Sequence, residues 1–61
     1  MIDIINKAIE ESDLLFLDNE LIKPYTFDGE ILSYRNLVND EDMVVNVECD
    51  VKIVSYEEGI N

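Results

Sequence analysis

From Met43 to Tyr56 the chain alternates apolar and polar residues almost without fault. Met43, Val45, Val47, Cys49, Val51 and Ile53 fall on one side, and Asn46, Glu48, Asp50 and Lys52 on the other. A period of two marks a strand with one buried face. As a single strand this run would reach about 46 Å at ~3.3 Å per residue. It needs a long pairing partner and a layer over its apolar side. In a chain of 61 residues both must come from one small domain, residues 1–61.

The covering layer is predicted at the start. At 100° per residue, Met1, Ile2, Ile4, Ile5, Ala8 and Ile9 fill one arc of a helix over residues 1–12. Asp3, Asn6, Lys7, Glu10 and Glu11 fill the rest. Asp3 suits the positive helix start, whereas Glu10, Glu11 and Asp13 oppose the negative C-terminal end of the macrodipole.

After Asp13 the period changes from 3.6 to 2. Asp28-Gly29 between alternating runs is a strong hairpin signal, and Asp18-Asn19 is a weaker one. The polar stretch Asn39–Asp42 reads as a four-residue loop. These turns set Phe16 opposite Leu21, Tyr25 opposite Leu32, Tyr34 opposite Val47 and Val38 opposite Met43. One face then collects Leu14, Phe16, Leu21, Tyr25, Phe27, Leu32, Tyr34, Val38 and the apolar side of the long run, Cys49 included. The helix should cover that face. The expected fold is α+β, an N-terminal helix packed on one face of a four-stranded antiparallel meander. Pro24 is tolerable if its strand is too short to need the missing N–H.

The other face carries Leu15, Leu17, Ile22, Ile31, Leu37 and Val44 among Arg35, Asn46, Glu48 and Asp50. Leu15, Ile22, Ile31, Leu37 and Val44 are therefore a candidate partner or dimer face. Arg35 falls near Glu48, as a cross-strand ion pair would require. Residues 52–56 have no partner in this register, so they must bend back, pair elsewhere or offer a free edge.

Charge limits the partners. Fifteen acids face four bases, a formal net charge of −11. Eight Ile, six Asn and one Ala suggest an A/T-rich coding sequence, which ordinarily supplies many Lys; only three are present. The acidity is thus kept against its background. Such a charge argues against direct binding of nucleic-acid backbone or an anionic membrane. There is no signal peptide pattern and no long apolar run, so the expected location is the cytoplasm.

Catalytic chemistry has little to draw on. With no His, neither a Ser-His nor a Cys-His pair can form. Asp40-Glu41-Asp42 lacks the spacing, glycine and closing glutamate of a calcium loop. No glycine-rich phosphate loop or basic patch exists, and no cofactor or metal is expected. Cys49, alone and on the apolar side, reads as a core residue in a reducing compartment.

The acids themselves are the remaining candidates. Glu10, Glu11, Asp13, Asp18 and Glu20 form one cluster, Asp40, Glu41 and Asp42 a second, and Glu57 with Glu58 a third. Carboxylates placed along an edge can occupy a Lys/Arg surface evolved for phosphates. In length, charge and lack of catalytic groups the chain is similar to small acidic inhibitors encoded by bacteriophages, including uracil-DNA glycosylase inhibitors and anti-CRISPR proteins. The similarity is compositional, and no family residues are carried over. It implies a DNA-mimic or anti-defence inhibitor of a basic, nucleic-acid-binding protein in a bacterial host. The alternatives are a homodimeric assembly module using the open sheet face or the edge of strand 43–56, and an antidote to a basic toxin.

Overall fold

The computed structural model describes residues 2–60. Its elements are α1 (Ile2–Glu10), β1 (Leu15–Leu17), β2 (Glu20–Phe27), β3 (Ile31–Asn36), β4 (Glu41–Asn46), β5 (Ile53–Ser55) and α2 (Tyr56–Gly59). The five strands form one antiparallel sheet in the order β4-β3-β2-β1-β5. The α+β architecture is the expected one: α1 covers one face of a four-strand meander, with β5 added at the β1 edge.

The helix stops where its backbone turns left-handed. Ser12 has φ 54°, Ser12 N–H donates to Ile9 C=O, and Asp13 N–H donates to Ala8 C=O at 2.8 Å. This is a Schellman end, with Ser12 where glycine is the usual choice. Above α1 the core gathers Ile5, Ala8, Leu15, Leu17, Ile22, Leu32, Tyr34, Val47 and Ile53.

Two of the three hairpins depart from the expected register, with different consequences. At Asp18-Asn19 both residues take positive φ, and Phe16 sits opposite Leu21 as expected. Between β3 and β4 the turn falls at residues 37–40, not 39–42, and Tyr34 meets Met43 in place of Val47. Asn36 causes this. Its Oδ1 accepts the Val38 N–H, and its carbonyl accepts the Asp40 N–H at 2.7 Å. Each residue's partner moves by four places, an even number, so every β3 and β4 side chain keeps its face.

Between β2 and β3 Phe27 meets Leu32, and a bulge interrupts the ladder between Pro24 and Thr26. The extra residue is Tyr25. It inverts everything before it, because one inserted residue exchanges the two faces. Leu15, Leu17 and Ile22 therefore point to the helix, and Phe16 and Tyr25 point away. The inversion corrects the expected apolar partner face: Leu15 (1% exposed) and Ile22 (0%) are core residues. β2 is also central rather than marginal. Its Leu21 carbonyl faces β3, so Pro24, three residues on, faces β1. β1 ends opposite Ile22, so no ladder bond is lost to the proline.

The long alternating run does not form one strand. Asn46 ends β4 by accepting the Glu48 N–H on Oδ1 and the Cys49 N–H on its carbonyl. Residues 47–52 then cross the helix-side face to the opposite edge. The crossing is not extended: Cys49 N–H donates to Asn46 C=O and Val51 N–H to Cys49 C=O, so two turns break it. Val47 and Val51 join the core on the way. At the far end Asp18 holds the strap: its N–H donates to Lys52 C=O at 2.8 Å, and its Oδ1 accepts the Lys52 N–H at 2.9 Å. Residues 53–55 then pair with β1. Cys49, expected inside, is exposed on the strap.

Candidate partner-binding surface

The acids fall into two structural groups. Those near the turns at one end of the sheet hold the fold together. Asp18 anchors the strap. Glu20 accepts a 3.4 Å hydrogen bond from Nδ2 of Asn36, whose side chain is buried and satisfied. Asp40 and Asp42 both bind Arg35, at 2.8 and 3.1 Å. They hold the guanidinium protonated above its ordinary range, Asp40 first. The Arg35 partner is thus the β3–β4 turn and not Glu48. Burial, then the negative field of Glu20 and Asp18, pushes the Tyr34 hydroxyl pKa up.

The acids at the helix end are differently placed. Glu10, Glu11 and Asp13 are all exposed. Asp13 accepts only the adjacent Leu14 N–H, at 2.8 Å. The Glu10 and Glu11 carboxylates take no hydrogen-bond or ion-pair partner among the described residues. They stand beside the carbonyl end of α1, where the macrodipole disfavours them.

The third acidic cluster lies next to the first. α2 follows β5 directly, with the Ser55 side chain accepting the Glu58 N–H as its N-cap. This places Glu57 and Glu58 across a groove of about 300 Å³ from Glu11 and Asp13. The floor is carbon from Ile4, Ala8, Leu14 and Leu15, and Lys7 stands at the wall. An apolar floor under a carboxylate rim fits the stem and head of a long basic side chain. Sequence reasoning noted Glu57 and Glu58 but not their neighbours. The contact joins the two ends of the chain, and no local pattern reports it.

The two sets of expected site residues are therefore regrouped. Glu11 and Asp13 share one groove with Glu57 and Glu58, and Glu10 is exposed on the same helix end. Asp18, Glu20, Asp40 and Asp42 are engaged in structure, and Glu41 is exposed at the start of β4. Ile31, Leu37 and Val44 remain exposed. The middle of the open face is basic, since Lys23 and Arg35 are cross-strand neighbours.

No group of three or more metal-ligating side chains occurs among the described residues. No helix among them is long and apolar enough to cross a membrane. No family model, curated protein or solved structure matches the chain.

Proposed function

We propose that this protein is a small acidic inhibitor, of the kind carried by bacteriophages or mobile elements. It binds the basic surface with which a host protein holds nucleic acid, and it acts in the cytoplasm by occupancy rather than catalysis. The observation that carries this reading is the placement of Glu10, Glu11 and Asp13. They oppose the helix dipole, and the Glu10 and Glu11 carboxylates have no partner among the described residues to offset that cost. Glu11 and Asp13, with Glu57 and Glu58, rim a groove suited to Lys or Arg, and Glu10 is exposed on the same helix end. The acids tied up at the opposite turns keep their structural partners and contribute less.

The test is retention on immobilised protein. Nucleic-acid-binding proteins of a bacterial lysate should be held at low salt, and both duplex DNA and about 0.5 M salt should release them. Retention that DNA does not displace would overturn the mimic reading. Replacing Glu10, Glu11 and Asp13 by Lys should weaken the recovered complex about 100-fold, with circular dichroism unchanged. Asp40→Asn with Asp42→Asn should weaken it less. An equal loss from both sets would remove the helix end as the contact.

A further inference from the structure

The sheet has one edge that is closed and one that is open. β5 is three residues long and runs straight into α2, whereas β4 ends the sheet at the other side over six residues. Among the described residues β4 pairs only with β3. Val47 N–H donates to Glu30 C=O, and the alternation of an antiparallel ladder turns the backbone groups of Val45 and Met43 toward β3 as well. The N–H and C=O groups of Asp42 and Val44 point outward, away from the sheet. Nothing usual blocks them, since β4 contains no Lys, no Pro and no bulge.

The side chains along this edge fall into two halves. At its start Asp40, Glu41 and Asp42 gather three carboxylates around one guanidinium, because Arg35 binds Asp40 and Asp42. The Glu41 carboxylate is exposed and takes no hydrogen-bond or ion-pair partner among the described residues. Beyond it Met43 is 41% exposed on the helix side and Val44 67% on the open side. We infer that β4 is a docking edge for an extended segment of another protein, which adds as a further strand and carries apolar residues followed by basic ones.

Charge and hydrogen bonding select that occupant. A second copy fits poorly, because β4 carries only acidic charge and the Asn46 carbonyl already accepts the Cys49 N–H. Every strand pair in the sheet is antiparallel, and antiparallel pairing is the more stable per residue, so the guest runs antiparallel to β4. The guest residues opposite Asp42 and Val44 then each exchange both backbone hydrogen bonds with the edge. Read from the guest's N-terminus, an apolar residue covers Val44 and the next covers Met43. Lys or Arg residues follow, opposite Asp42 and Glu41. The inference does not rest on the inhibitor reading, whose contact lies beside β5 and α2 at the other side of the sheet, and either site can fail without the other.

The probe is the peptide acetyl-Thr-Val-Val-Lys-Lys-amide, titrated into the isotope-labelled full chain at low salt and at about 0.5 M, with amide exchange read by NMR. The expected result is a dissociation constant of roughly 1 mM, weakened by salt, with the Asp42 and Val44 amides gaining protection. Met43 and Val45 amides should be protected already without peptide. N-methylation of the first Val removes the donor to the Val44 carbonyl and should weaken binding at least about fivefold. N-methylation of the second Val, whose N–H faces away from β4, should be tolerated. Glu41→Lys should weaken binding about threefold or more with the dichroism spectrum unchanged. Equal binding of the two N-methylated peptides would reduce the contact to charge and overturn the inference. So would no response at several millimolar peptide, or shifts confined to Glu11, Asp13 and Glu58. Protection of Asp42 and Val44 that grows with protein concentration alone would also overturn it, by making a second copy the occupant.

Discussion

The two edges of the sheet differ in how they are held. At the β5 edge, packing does the work. Phe16 stacks on Tyr56 with ring centroids 6.0 Å apart and planes within 6°, and Gly59 lies so close to the Phe16 ring that a Cβ there would overlap it. Asp18 clamps the strap just before β5. At the β4 edge the hold comes from one side only: the β3 ladder, and Arg35 reaching over the turn to Asp40 and Asp42. A strand fastened from three directions can be short. A strand fastened from one direction must be longer, and it leaves its outer side available.

This contrast can be broken one fastening at a time. The largest effect is expected from Gly59→Ala, whose methyl must displace the Phe16 ring. Undocking α2 should cost about 1–3 kcal/mol in a urea titration, with Tyr56 fluorescence changing in step. Asp18→Ala comes next. It frees the Lys52 N–H and puts alanine at φ 48°, and the expected loss is about 1–2 kcal/mol. Arg35→Gln should lower the urea midpoint less than either. Its effect should shrink further at about 1 M salt, because the pairs are exposed. A salt-independent loss would show that the arginine acts through packing.

The smallest effect is expected at the central turn, which belongs to neither edge. Asp28 accepts the Ile31 and Glu30 N–H groups, and these bonds hold its carboxyl below the ordinary range. A carboxyl lowered in the folded state stabilises above its unfolded pKa, and that contribution is lost as pH falls through the folded value. Asp28→Asn should therefore lose that contribution at neutral pH, converge with the parent in acid, and so flatten the decline in stability below about pH 4. Equal acid sensitivity in the variant would assign the decline to other carboxylates.

Much of this design was legible in the sequence, and its failures have specific causes. The helix, the change of period after Asp13 and the Asp18-Asn19 turn rest on short-range chemistry, and each formed as expected. The face of β3 and β4 survived a misplaced turn because the slip was even. The face of β1 did not survive Tyr25, since a bulge leaves no mark on an alternating pattern beyond the neighbouring Pro24. Val47 to Lys52 alternates in sequence although it leaves the strand: Val47 and Val51 reach the core from the strap, while Cys49 between them is exposed. The local signal was Asn46, a residue suited to ending a strand with its own side chain. For the site, exposure of Glu10 and Glu11 followed from the helix pattern. Their meeting with Glu57 and Glu58 depended on the return of the chain, which no spacing encodes.

The strap has a consequence for how the molecule is made. β1 has one neighbour until β5 arrives, and Phe16 and Val54 are paired across most of the chain. The meander can form early from contacts near in sequence, but its core lacks Val47 and Ile53 until the strap is drawn across. Such a distant closure is the slow step in a chain otherwise rich in local pairings. During synthesis the nascent meander would wait with an open flank while the segment carrying β5 emerges from the ribosome. The native state would then be completed in one late, cooperative event.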